Sequence, residues 1–141
     1  MSGDWIDDGY CFACGEKNPI GMHLDFVLTD DGGITAKYSF PGKFQGYSGV
    51  THGGMISLLL DEVMVNLPWL KEKKPVVTAE IKVRFIKPLA VLEPVTARAW
   101  VDRSRKNLVW IKSELTRDRD GVIVAGAEAL CVKVDAGQMK L

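Results

Sequence analysis

Between Met55 and Leu67 nearly every residue is apolar, interrupted chiefly by Asp61 and Glu62, and this run leaves few folds open. A surface helix shows a polar face, so a helix that is apolar almost all round must be enclosed by other structure. The run is entered through Thr51-His52-Gly53-Gly54. Paired glycines after a histidine leave bare N–H groups at a helix start, where four donors lack intrahelical partners and the macrodipole is positive. Such an end suits an oxyanion. Thr51 is the expected N-cap and Pro68 the expected stop, near Leu67. A carboxylate inside an enclosed helix costs free energy unless it is paired or used, so Asp61 and Glu62 require a reason to be there.

Helix geometry adds a constraint. At ~1.5 Å rise per residue, Asp61 lies ~12 Å along the axis from Gly53, too far for both to touch one reacting carbon. Two copies of the helix running antiparallel across a two-fold axis would bring Asp61 of one subunit to the glycine turn of the other. The motif therefore predicts a homodimer with shared sites, extending to a dimer of dimers.

On either side of the helix the period changes to that of strands. His23 to Leu28 and Ile34 to Phe40 flank Thr29-Asp30-Asp31-Gly32-Gly33, a hairpin signal. After the helix, Ala79, Ile81, Val83 and Phe85 alternate with Glu80, Lys82 and Arg84, the pattern of a half-buried strand. Val91 to Val101 and Leu108 to Leu115 follow around the basic turn Asp102 to Asn107, and Asp118-Arg119-Asp120-Gly121 leads to a last strand, Val122 to Val134. Two strands, one helix and four strands in a meander predict an α+β domain in which a six-stranded antiparallel sheet wraps one long central helix. The chain of 141 residues reads as one domain, with residues 1–21 an irregular leader.

Eighteen basic residues balance eighteen acidic ones, so no global field favours nucleic acid or an anionic membrane. The longest apolar run falls well short of the ~20 residues that span a bilayer, and the acidic segment Met1 to Asp8 lacks the pattern of a secretory signal. A cytoplasmic enzyme is the expectation. Three cysteines do not make a disulfide framework. Cys11 and Cys14 form a C-x-x-C, but zinc normally takes four protein ligands at a structural site, and only Cys131, His23 and His52 remain to complete one. No metal and no redox cofactor is expected.

The His-Gly-Gly motif followed by an acid nine residues after the histidine, here His52 to Asp61, resembles the central helix of the hotdog-fold acyl-CoA thioesterases, phenylacetate-pathway type. Tyr10 to Gly15 with Asn18 to Leu24 resembles the leader of one branch of that family, and Thr78 to Pro88 its first strand after the helix. The resemblance implies the hotdog fold and hydrolysis of an acyl-CoA to a carboxylic acid and free CoA. It makes Asp61 the general base toward water or the direct nucleophile, and the Gly53 N–H the group that polarises the thioester carbonyl. Gly54 would allow close approach of the substrate, His52 would orient the glycine turn, and Thr78 falls where relatives carry a hydroxyl that positions water. Gln45 stands near the place of a family asparagine that helps hold the thioester oxygen, at a different spacing. The leader is then a packed cap near the acyl pocket.

The remaining candidates have plainer readings beside the functional ones. Glu62 points ~100° away from Asp61, beside Asn66, and reads as a structural or interface acid. Arg103, Arg105 and Lys106 form either a solvated turn or a site for the phosphates of coenzyme A. Trp5, Trp69, Trp100 and Trp110 read as core or interface aromatics, with Trp69 able to line an acyl tunnel. Two other functions remain open at this level: a hotdog-type enoyl hydratase or dehydratase, and a non-catalytic acyl-CoA sensor. The histidine-and-acid loop motif of the hotdog dehydratases is absent, and the leader is too short to be the DNA-binding domain that sensors of that design carry.

Overall fold

Leu59, Leu60, Val63, Met64 and Leu67 recur at spacings of about three and four, so they form one stripe along a helix, and that stripe is what a sheet must cover. In the computed structural model, which describes residues 7–135, these five side chains are fully buried. They lie on α1 (Gly53–Glu72), a helix of 20 residues. The strands are β1 (Val27–Leu28), β2 (Ile34–Ser39), β3 (Val76–Phe85), β4 (Pro94–Arg105), β5 (Leu108–Arg117) and β6 (Val122–Lys133). They form one antiparallel sheet in the order β1-β2-β4-β5-β6-β3, and α1 touches every strand of it. Small residues on the inner face, Ala97 and Ala99 on β4 and Ala125, Ala127 and Ala129 on β6, let the helix backbone approach the sheet closely.

The helix is longer than its sequence signals suggest. Thr51 is not its cap: the Thr51 N–H donates to the Leu89 carbonyl at 2.8 Å, and the Thr51 hydroxyl is buried without a partner. The cap is His52, and α1 runs through Pro68 to end at Lys73, whose left-handed backbone (φ 55) lets its N–H return to Trp69 O at 2.9 Å. Pro68 cannot donate to the Met64 carbonyl, yet it is buried beside Leu67, and packing outweighs one missing bond.

Two strand expectations also change. Within His23 to Leu28 only Val27–Leu28 joins the sheet, because His23 is left-handed (φ 54) and the N–H groups of Met22 and Leu24 bond to Phe12 and Ala13 of the leader. The four strands after the helix are not a simple meander. β4, β5 and β6 follow one another, but β3 pairs with β6 at the far edge of the sheet. The connection from β3 to β4 crosses the entrance of α1, tied there by Thr51 N–H to Leu89 O and Val91 N–H to Gly49 O.

Its edge position explains why β3 is not the half-buried strand that its alternation suggests. A bulge at Ala79 separates the pairs Thr78–Cys131 and Glu80–Leu130 and breaks the alternation. Val83 packs on the core, while Ile81 is 37% exposed and Phe85 54% exposed.

Candidate active site

The entrance of α1 is organised by His52. Its Nδ1 accepts from the Gly54 N–H at 2.8 Å, and its carbonyl accepts from Met55 at 3.0 Å. The imidazole is therefore the N-cap, with its proton on Nε2 while Nδ1 accepts. A side chain at Gly54 would come within 3.0 Å of that Nδ1, so the cap needs glycine there. With Gly54 and Met55 satisfied, the Gly53 N–H has no hydrogen-bond partner among the described residues. The Phe85 ring stands over it, 3.2 Å from where a Gly53 Cβ would lie. An N–H at the positive end of a long helix can stabilise a developing negative charge.

Asp61 lies two helical turns further on, half-buried. Thr78 donates its hydroxyl to Asp61 Oδ1 at 2.7 Å, leaving Oδ2 without a partner among the described residues. Behind them is Cys131, fully buried and paired with Thr78 across the β3–β6 ladder. Burial, with a contribution from the Asp61 charge, pushes this thiol up to about 11, so it is an inert wall rather than a nucleophile. The chain thus holds one carboxylate by one donor and leaves an oxygen available to accept a proton.

Glu62, on the adjacent face, is held differently. Asn66 donates to its Oε1 at 3.0 Å, as the spacing of one turn predicts, and the Cys11 thiol approaches the same oxygen at 3.6 Å. Cys14 completes this group; burial first, and then the neighbouring Glu62 carboxylate, push its thiol far above the ordinary range.

Gln45 lies on the loop before the helix, bridged to Thr51, and its Oε1 accepts from the Gly49 N–H at 2.9 Å. Arg103, Arg105 and Lys106 do not share one turn. β4 extends through Arg105, β5 begins at Leu108, and only Lys106 and Asn107 form the turn, with Lys106 left-handed (φ 55). Arg103 lies 4.0 Å over the Trp110 ring, and the three cations line a groove of about 800 Å³. The register Thr78–Cys131–Val109 sets Val109 about 10 Å from Thr78 across two strand spacings, and the hairpin tip lies beyond Val109 at the same end of the sheet.

Trp69 is 41% exposed at the end of α1, Trp100 and Trp110 are half-buried against Arg98 and Arg103, and none belongs to the core; Trp5 lies outside the described residues. The roles of Phe85 and Cys131 at the site were not legible in the sequence, since each arises from a strand register that no local pattern encodes.

The family profile of the thioesterase superfamily matches residues 48–124, more than half of the chain. No curated protein is significantly similar in sequence. Among solved structures, a thioesterase superfamily protein superposes with a TM-score of 0.79 at 23% identity, covering 87% of this chain and 60% of its own; the chain thus spans three fifths of that relative. A phenylacetic acid degradation-related protein from Ralstonia eutropha JMP134 gives 0.71 at 25% identity, with 80% and 86% covered. The PaaI protein of the phenylacetic acid degradation operon of E. coli gives 0.74 at 16%, with 82% of each chain covered. The chain belongs to the thioesterase superfamily and has the hotdog fold.

Proposed function

We propose that the protein is an acyl-CoA thioesterase that hydrolyses its substrate to a carboxylic acid and free CoA. The observation that carries this reading is the pair of available groups on one helix, the Gly53 N–H, unpartnered among the described residues, and the Asp61 carboxylate held by Thr78. The first is the electrostatic partner for a thioester oxygen. The second acts on the carbonyl carbon, as general base toward water or as direct nucleophile. Neither course needs a metal or redox cofactor. In a single turnover in H₂¹⁸O, a general base would leave ¹⁸O in the product acid, whereas a nucleophile would first donate its own oxygen.

The two groups are ~12 Å apart along one helix, so each working site takes one of them from a second copy. The outer edge of β3, at the margin of the sheet with exposed faces, suits an isologous contact that sets two α1 helices antiparallel. A dimer, or a dimer of dimers, is the proposed active form. His52 fixes the turn, Gly54 gives the substrate room, and Gln45 offers its amide near the helix entrance. The cations at the β4–β5 tip take the nucleotide phosphates of CoA. No described helix is long and apolar enough to cross a membrane, and the proposed place of action is the cytoplasm, among the CoA esters.

Thiol release measured over a panel of acyl-CoAs tests the activity, with phenylacetyl esters first because two solved neighbours belong to phenylacetic acid degradation. Absence of turnover across the panel would overturn it. Mixing Asp61→Asn subunits with Gly53→Pro subunits tests the shared site. Proline suits the backbone of the first helical position and lacks the N–H, but its ring must displace Phe85, 3.2 Å from the Gly53 Cβ position, so circular dichroism first establishes that the variant is folded. Activity should reappear on mixing; folded, mass-verified heterodimers that stay inactive would refute the arrangement.

A further inference from the structure

The leader is not simply laid over the helix. It ends a tight loop on two sulfur atoms and a carboxylate: one ligand atom from each of Cys11, Cys14 and Glu62 falls within 4.8 Å of the others, and all three residues are half-buried. The loop is built for this convergence. The Cys14 N–H points at Cys11 Sγ at 3.5 Å, and the Gly15 N–H donates to the Cys11 carbonyl at 2.8 Å. Residue 15 must be glycine, because a Cβ there would lie 2.4 Å from Cys11 N and 2.5 Å from Gly9 O. The sequence Cys-x-x-Cys-Gly therefore folds so that a backbone donor faces the first sulfur. On the other side, Asn66 holds Glu62 Oε1 at 3.0 Å and aims the carboxylate toward the cysteines.

We propose that Cys11, Cys14 and Glu62 bind a Zn²⁺-like divalent transition metal ion, with three protein ligands and one exchangeable position for water. Zinc bonds of about 2.3 Å to sulfur and about 2.1 Å to oxygen place tetrahedral ligand atoms about 3.5–3.8 Å apart. The Cys11 Sγ to Glu62 Oε1 separation of 3.6 Å already meets this, and the 4.8 Å limit leaves only small side-chain movements for the rest. Two thiolates favour zinc over magnesium or calcium. Binding displaces the two thiol protons, and the dication offsets three converging negative charges. A dithiol redox centre fits less well, since a carboxylate beside the pair opposes the thiolate that exchange requires. Asn66 acts as the outer partner that orients the carboxylate ligand. Bound metal would cross-link the leader to α1 one residue from Asp61. This site is independent of the proposed hydrolytic reading.

The test uses the full-length protein, reduced and handled anaerobically so that both thiols are free. After reconstitution with ZnCl₂ and gel filtration, elemental analysis should find one zinc per chain. Co²⁺ in its place should give thiolate-to-cobalt charge-transfer absorption and the visible bands of a tetrahedral site. Competition with a chromophoric chelator should show affinity lost in Cys11→Ser and Cys14→Ser, weakened in Glu62→Gln, and reduced by about 10- to 100-fold in Asn66→Ala, which removes only the outer partner. Cys131→Ser, which alters the cysteine outside the cluster, should bind as wild type. Circular dichroism establishes that each variant is folded. Amide exchange across residues 9–22 should slow on zinc addition in wild type and not in Cys14→Ser. Reduced, folded wild type that retains no zinc, or equal binding in the Cys11→Ser, Cys14→Ser double variant, would overturn the proposal.

Discussion

Asp61 and Glu62 are neighbours in the chain, about 100° apart around α1, and the fold treats their carboxylates in opposite ways. Asp61 faces β3, where one threonine hydroxyl holds Oδ1 and leaves Oδ2 without a partner among the described residues. Glu62 faces the leader, where Asn66 and Cys11 converge on one oxygen and Cys14 stands close by. One acid is oriented and left available; the other is engaged in joining two segments of the chain. The residue types are nearly the same, so the difference in role comes from the donors that the surrounding elements supply. A carboxylate suited to chemistry needs a fixed direction and an open lone pair, whereas an anchoring carboxylate needs several partners.

The sharpest way to break this contrast is to remove the charge on the available side. Asp61→Asn keeps size and hydrogen bonding, and should lower kcat by ~10²–10⁴ with little change in substrate binding. Steady-state kinetics on the preferred acyl-CoA check this, and near-normal turnover would sink the assignment. Thr78→Val removes the donor that directs Asp61 and should cost a further-ranging but smaller amount, about 10- to 100-fold in kcat, the worth of one hydrogen bond to a charged group. Thr78→Ser, which restores the hydroxyl, should recover most of the loss.

Much of the frame behind this contrast was readable from local patterns. The apolar run announced an enclosed helix, alternation and Gly-Asp turns marked the strands, and the spacing of Glu62 and Asn66 placed them on one face. What could not be read depends on distant partners. Pro68 continues the helix because the sheet buries it, His52 caps because Thr51 is drawn to Leu89, and β3 reaches the far edge because its connection crosses the helix entrance. At the site, Asp61 stood out as an acid in an apolar run. Thr78 became a candidate only through family resemblance, and its contact with Asp61 is set by the β3–β6 ladder. Cys11 and Cys14 were visible as a pair, but nothing local joined them to Glu62, fifty residues away.

The hairpin tip sharpens the comparison from the substrate's side. If the thioester lies on the Asp61 face, the nucleotide end must reach the cations at the same end of the sheet. Replacing Arg103, Arg105 and Lys106 together by Ser should raise KM for acyl-CoA by about 3- to 150-fold, since exposed ion contacts contribute roughly 0.2–1 kcal/mol each. The effect should be larger at low salt and absent for a short thioester lacking the nucleotide. Equal losses on both substrates would indicate damaged folding, for which the stacked pair Arg103 and Trp110 is the vulnerable point.

The smallest expected effect on turnover falls on the other acid. Glu62→Gln preserves shape and can still meet Asn66, while the removed charge is directed at the leader rather than at the β3 side where Thr78 holds Asp61. Its kcat should fall by less than about tenfold, a barrier change below about 1.4 kcal/mol. Any loss should also track the packing of the leader, seen as faster amide exchange between Gly9 and Met22, and should shrink in the mixed heterodimer when Glu62→Gln is carried only by the Asp61→Asn subunit. A Glu62→Gln enzyme that is dead while Asp61→Asn still turns over would reverse the two faces of α1 and move the catalytic acid by one residue.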